Sequence, residues 1–257
     1  MNSLASTVPP RYRRPEILTG ILVVVGLLLL EALAQLELVS PILLRAPTAV
    51  FGELLASAGD QAIRADVWAT TQRVAAAFLI SLVVGSVMSV VLWQVEVLRR
   101  AYLPLLGAIF GTPLVLLYLV FVVLFGRGST AIVAISIPLG VIPIVINSTD
   151  ALANVEDVYI DTARSFNATP AQVLRKVIIP DAAPDIFAGI RIGFTYVVIS
   201  VTAVEFLLVI GKGLGGFISD AYFRFKTTEM FVGIVLIILL VILAIFLLRK
   251  LEEAVQQ

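Results

Sequence analysis

The sequence predicts an all-α, polytopic membrane fold with about six transmembrane helices. Three observations predict it. Apolar residues make up 60% of the 257-residue chain, charged residues only 14%, and mean hydropathy is +1.06. A soluble domain carries about 25% charged and 45–50% apolar residues, so a water-soluble fold of this length would present a largely apolar surface. The apolar residues also fall in continuous runs, as in 234–248. A membrane barrel would instead show alternating segments of about ten residues. In lipid the backbone must pair internally, and continuous runs then fold as helices.

A helix needs about 20 apolar residues to cross a hydrocarbon core of about 30 Å. Six runs qualify, at roughly 17–36, 68–93, 103–125, 130–146, 186–210 and 230–248. The first follows Arg11, Arg13 and Arg14 and contains Ala32-Leu33-Ala34, a pattern shared with cleavable signal peptides. Glu31 and the five spans that follow favour a retained helix. The expected organisation is a cytoplasmic tail at 1–16, a transmembrane domain at 17–250 and a cytoplasmic tail at 251–257. With the amino terminus inside, eleven of the 18 basic residues lie on inner segments, the side that basic residues favour.

The connections differ in character. The outer segment 47–58 reads as an amphipathic stretch at the interface, and 60–66 as a polar approach to the second span. The outer segment 211–216, with Ser219, Tyr222 and Phe223, reads as a flexible loop, with an outer gate as the alternative. The longest inner connection, 147–185, reads as two short helices. Asn154 is placed to cap the first, with Glu156 and Asp157 in its first turn, where the helix dipole favours acids. Val155, Val158, Tyr159, Thr162, Ala163 and Phe166 recur at helical spacing. Asn167 suits the left-handed conformation that ends helices. Thr169-Pro170-Ala171-Gln172 is a capping box with proline at the first helical position. Val173, Leu174, Val177 and Ile178 continue an apolar stripe, Pro180 is expected to stop the helix, and Pro184 to open the next span. An exposed apolar face needs a covering surface. Either the inner ends of this chain's own spans or a soluble partner could supply it.

The chemistry the chain lacks is informative. It has no Cys and no His, which removes disulfides, thiolate catalysis and the commonest general base and metal ligand. No cofactor or metal is expected. Zero formal net charge gives no electrostatic footprint for nucleic acid. No G-x-x-x-x-G-K-[ST] loop occurs, so ATP-driven work would need hydrolysis by a partner. A membrane enzyme is disfavoured, because no carboxylates cluster at membrane depth.

Ionisable groups inside spans are functional candidates. Glu205 is the main one, either a structural acid paired with Thr202 or Thr195 or part of a pathway or gate. Glu31 fits an interfacial position, and Arg73 either snorkels outward or pairs with an acid. Pro104 and Pro113 in the third span, and Pro138 and Pro143 in the fourth, would bend their helices, which makes those spans candidate pathway walls. Gly85 and Ser89 permit close helix contact.

The inner loop resembles the cytoplasmic loop of ABC importer permease subunits, whose signature is Glu-Ala-Ala, three residues, Gly, nine residues, then Ile-x-Leu-Pro. Here it reads Asp161-Thr162-Ala163, three residues, Asn167, nine residues, then Val177-Ile178-Ile179-Pro180. Spacing is kept, while Asp161 stands for Glu, Thr162 for Ala, Asn167 for Gly and Ile179 for Leu. The segments Ala182-Ala183-Pro184, Val204-Glu205 and Gly213-Leu214-Gly215 are similar to later parts of the same permeases. Thr71-Gln72-Arg73-Val74 and Leu124-Phe125-Gly126-Arg127-Gly128 resemble the nitrate, sulfonate and taurine branch, which also includes permeases for pyrimidine precursors and riboflavin. The resemblance implies a type I importer permease whose loop is a coupling helix pair. Asp161, Ala163, Asn167, Ile179 and Pro180 would touch a cytosolic ATPase. Glu205, Gly213, Gly215, Pro113 and Pro138 are the candidates for pathway or gate. The implied partners are two ATP-binding subunits, a second permease copy or a sister permease, and an external solute-binding protein, assembled in the bilayer. No basic residue but Arg73 falls deep in a span, so the sequence leans toward a neutral heterocycle such as riboflavin or a pyrimidine precursor over sulfonate, taurine or nitrate. A stand-alone secondary transporter or channel is the alternative, with Glu205 as its one candidate for ion coupling.

Overall fold

The computed structural model describes residues 15–208 and 212–255. The tail carrying Arg11, Arg13 and Arg14, the end of the last tail and the loop residue Gly211 lie outside them. Among the described residues the chain is all helical: α1 (Pro15–Gln35), α2 (Pro47–Ser57), α3 (Gln61–Gln94), α4 (Glu96–Phe110), α5 (Tyr118–Phe125), α6 (Ser129–Ala153), α7 (Asp157–Ser165), α8 (Pro170–Val173), α9 (Ile179–Leu208), α10 (Leu214–Phe223) and α11 (Thr227–Val255). Among the described residues five helices are long and apolar enough to cross a membrane, with α8 and α9 counted as one, and the bent pair α4–α5 makes a sixth if it is one span.

The centre of the bundle is a three-helix unit of α3, α6 and α9. Small residues let these helices approach closely. A Cβ at Gly140 would lie 2.6 Å from both Ser81 Oγ and Val197 Cγ2, and one at Gly193 would lie 2.7 Å from the Ile144 side chain. Gly85 likewise abuts Ile144. Around these contacts Val74, Ala77, Ile132, Ile135, Val197, Val201 and Val204 are buried. Two hydroxyls in the seam are paired across helices. Ser81 donates to the carbonyl of Ile137 at 3.0 Å, and Ser136 to Ser200 at 2.9 Å. Polar groups remote from water need such partners.

The peripheral helices turn apolar faces outward. Ile238, Leu239, Ile242, Leu243, Phe246 and Leu247 of α11 are exposed, as are most large residues of α1, which suits lipid as the surrounding solvent. Helix α1 is joined to α2 by Glu31, whose carboxylate accepts from the Thr48 amide at 3.0 Å and the Thr48 hydroxyl at 2.6 Å.

The structure corrects several local expectations. The third span is not one helix. Its arms, Glu96–Phe110 and Leu114–Phe125, meet at 82°. Pro113, which has no N–H, sits at the break, and the Thr112 hydroxyl turns back to the Ile109 carbonyl at 2.6 Å, so the α-helical ladder cannot pass. By contrast, α6 runs through Pro138 and Pro143 without a break. Asn154 caps nothing at α7; it ends α6, and Glu156 takes the N-cap position of α7 with no side-chain bond. Pro180 and Pro184 neither stop nor start a helix. Residues 170–208 form one helical run with a π turn at Leu174–Ile178. That wider turn precedes Pro180, relieving the ring's clash with the preceding turn, and both prolines lie on an exposed face. The glycine-rich outer segment is not a loop throughout, because Leu214–Phe223 is the helix α10 with Leu214, Gly215, Gly216 and Ser219 buried.

Candidate functional site

Two polar or open regions lie at opposite ends of the bundle. At the first, α6 hands over to α7 and α9 begins. Helix α7 closes with Asn167 at φ 58°. Its amide bonds the Arg164 carbonyl at 2.9 Å, and the Ala168 amide bonds the Ala163 carbonyl at 3.2 Å, a paired ending that needs a left-handed residue between them. The capping box then forms as expected, with the Gln172 side chain on the Thr169 amide at 2.8 Å and the Thr169 hydroxyl on the Gln172 amide at 3.3 Å.

The helix pair is anchored but not sealed. Val155, Val173, Ile178 and Ala182 are buried with Leu152, against Trp93 and Ile186. Val158, Tyr159 and Ile179 stay exposed, and Phe166 is 83% exposed. Between α7 and the start of α9 runs a groove of about 520 Å³ lined by Tyr159, Thr162, Ala163, Lys176, Val177, Pro180 and Asp181. Ala163 and Pro180 thus line the groove. Asp161, Asn167 and Ile179 lie outside its lining and are exposed. Asp161 is 3.3 Å from Arg164 on the same surface.

At the other end Glu205 is 1% exposed. Its Oε1 accepts from Arg73 Nη1 at 2.6 Å, and its Oε2 accepts from the Thr70 hydroxyl at 2.8 Å and the Gly215 amide at 3.0 Å. The expected partners Thr202 and Thr195 instead donate to carbonyls of their own helix. Arg73 also donates to the Lys212 carbonyl at 2.8 Å and, through Nε, to Ser129 at 3.0 Å. The Gly213 amide donates to Asp66 at 2.7 Å, and the Leu214 amide to Thr70 at 2.8 Å.

These bonds share one purpose. The first amides of a helix have no partner within it. At α10 the amides of residues 213, 214 and 215 are taken by Asp66, Thr70 and Glu205, which belong to α3 and α9. The acids also face the positive end of the α10 dipole. Gly213 has φ 120°, a conformation that disfavours any Cβ. Gly215 lies so close to α9 that an added Cβ would sit 2.3 Å from the Thr202 carbonyl oxygen.

Glu205, Gly213 and Gly215 are therefore brought together, with Arg73 among them. Pro113 and Pro138 take no part in this network. Asp66, Thr70 and Ser129 were not expected. The signal for the first two was present, since Asp66, Thr70 and Arg73 recur at four and three residues, placing three polar groups on one stripe of the helix.

A helical bundle with several helices long and apolar enough to cross a membrane defines the class, a polytopic membrane protein. The sequence matches, over residues 77–257, the family described as binding-protein-dependent transport system inner membrane component, and the chain belongs to that family. It is similar to the formylaminopyrimidine transport permease protein ThiX of Halalkalibacterium halodurans, at 29% identity over 72% of this chain and 74% of that one. It is similar to the taurine transport system permease protein TauC of Escherichia coli, at 28% over 86% and 82%. The riboflavin transport system permease protein RibX of Chloroflexus aurantiacus is 31% identical over 61% of this chain and 58% of its own. The fold resembles a chain of the MetNI methionine ABC transporter in an inward-facing conformation, with TM-score 0.63 and 22% identity over 77% of this chain and 98% of that chain.

The chain is thus a permease subunit of a binding-protein-dependent ABC importer, a multi-pass protein of the plasma membrane. It forms the pathway, and ATP hydrolysis sits in a separate subunit.

Proposed function

We propose that this permease moves a small neutral heterocycle, of the riboflavin or pyrimidine-precursor kind, into the cell. In this reading both termini and the α7–α8 turn are cytoplasmic, and the α10 end faces outward. The observation that carries the solute class is the pairing of Arg73. It is the one basic residue that the sequence sets deep in a span, and its charge is matched by Glu205 at 2.6 Å. The N-terminus of α10, the other positive feature nearby, is occupied by Asp66 and Glu205. An anion would find neither available. Relatives named for formylaminopyrimidine and riboflavin support this choice, and those named for taurine and nitrate supply the competing solutes.

The open helix pair is the docking surface for the motor. Ala163 and Pro180 line a groove that would receive an ATPase element, and Asp161, Asn167 and Ile179 frame it. Two ATPase subunits, a second permease copy or a sister permease and an external binding protein complete the assembly. Glu205, Gly213 and Gly215 belong to the outer gate, and Pro113 and Pro138 to the pathway walls. The test is uptake into proteoliposomes holding the full complex. ATP-dependent uptake of riboflavin or a pyrimidine precursor, with taurine and nitrate excluded, is the expected result. Uptake of taurine or nitrate alone overturns the solute assignment. Retention of the ATPase by all of Asp161→Lys, Ala163→Trp and Asn167→Trp overturns the docking assignment.

A further inference from the structure

We propose that α10 is an outer plug held by a detachable cap, and that the Arg73–Glu205 pair is its latch. The inference rests on the orientation given above and deepens the gate reading by naming what holds the gate shut. Three facts carry it. The first three amides at the start of α10 are satisfied only by residues of other helices, Asp66 and Thr70 of α3 and Glu205 of α9. A helix lifted from this seat exposes all three donors at once. The same movement strips Glu205 of the Gly215 amide and Arg73 of the Lys212 carbonyl, leaving a pair at membrane depth with fewer bonds. Both costs arise together, so the seat is either made or lost, with little stable ground between.

The ends of α10 mark where it would turn. Gly213 precedes it at φ 120° and Phe225 follows it at φ 56°. Tight seating shows in Gly215, where even one added carbon collides with α9. Ser219 lies one turn further along the same face and is fully buried, and its hydroxyl has no hydrogen-bond partner. That hydroxyl costs free energy while the plug is seated, which makes the seated state more dependent on the latch. Arg73, Glu205, Thr70 and Asp66 are positioning residues for α10 in this scheme.

The chain has no cysteine, so Ser219→Cys places a single thiol beneath the plug. In right-side-out vesicles carrying the whole complex, a membrane-impermeant maleimide should leave this thiol unmodified. Adding Glu205→Gln keeps the shape but removes the charge, and should raise the labelling rate about a hundredfold, as expected for loss of one partner of a buried pair. Arg73→Lys keeps the charge but loses the forked contacts to Ser129 and the Lys212 carbonyl, and should give an intermediate rate. If Glu205→Gln fails to accumulate, Thr70→Val removes one bond to Glu205 and one cap of α10, and should still raise labelling about tenfold. Phe223→Cys, at an exposed position of α10, reports which membrane side this end faces; labelling from the opposite side overturns the orientation and leaves the latch to be read from that side. Labelling of Ser219→Cys that stays within about twofold of the parent, in variants whose complexes assemble and bind ATPase normally, overturns the latch.

Discussion

The two ends of this bundle solve opposite problems. At the α10 end, polar groups are buried and almost every one has a partner on another helix of the same chain. At the α7 end, the backbone is neatly capped, yet Val158, Tyr159, Ile179 and Phe166 remain uncovered. The first end satisfies nearly all its buried polar groups within the chain, though Tyr222, Phe223 and Phe225 stay exposed there. The second buries its inner face against the bundle and leaves its outer face exposed. Burial alone would rank the α10 end as the more important. The comparison teaches that internal pairing of buried polar groups and exposure of a helix pair are separate features, each placed at its own end of the bundle.

That contrast can be broken most sharply at Glu205. Glu205→Ala leaves Arg73 buried without its acid and should destabilise the purified permease by about 3–5 kcal/mol, read as a lower midpoint in thermal unfolding in detergent. A loss below about 1 kcal/mol would show that the α10 end is not self-contained. Gly140→Val tests the three-helix unit that joins the two ends. Its side chain meets Ser81 and Val197, and overpacking of this kind costs about 1–3 kcal/mol. The same unfolding measurement reports it, and no loss would mean that α3 and α9 can separate freely.

Smaller effects belong to the α7 end. Thr169→Ala removes the hydroxyl half of the capping box and should cost about 1 kcal/mol, visible as faster hydrogen exchange across 171–173. The smallest change in stability is expected for Phe166→Ala, within about 0.5 kcal/mol, because the ring is 83% exposed. Its expected consequence is instead weaker co-purification of the ATPase. Unchanged co-purification together with lost stability would reverse the comparison, making Phe166 a packing residue and this end a closed one.

The sequence made one end far more legible than the other. Apolar runs revealed the spans because lipid permits few alternatives. Asn167 and the Thr169–Gln172 box were readable because end signals act over three or four residues. The pairing of Arg73 with Glu205 was not, since 132 residues separate them and no local rule links their charges. Gly213-Leu214-Gly215 read as a loop because glycine's low helix propensity hides a helix whose caps come from elsewhere. Pro180 and Pro184 read as boundaries because a π turn cannot be inferred from residue types. At Pro113 the helix breaks, whereas α6 continues as one helix through Pro138 and Pro143. Pro113 directly follows Gly111-Thr112, whose glycine ends α4.

The run Pro170–Leu208 has 39 residues. At 1.5 Å per residue it is about 58 Å long, nearly twice the hydrocarbon thickness of a bilayer. Were a strut of this length to tilt as one body, it would act as a lever. Tilting it by about 5° about its middle carries each tip sideways by about 2.5 Å, in opposite senses. A nudge at one tip smaller than an atom's diameter is therefore enough, at the far tip, to stretch a hydrogen bond past its working length.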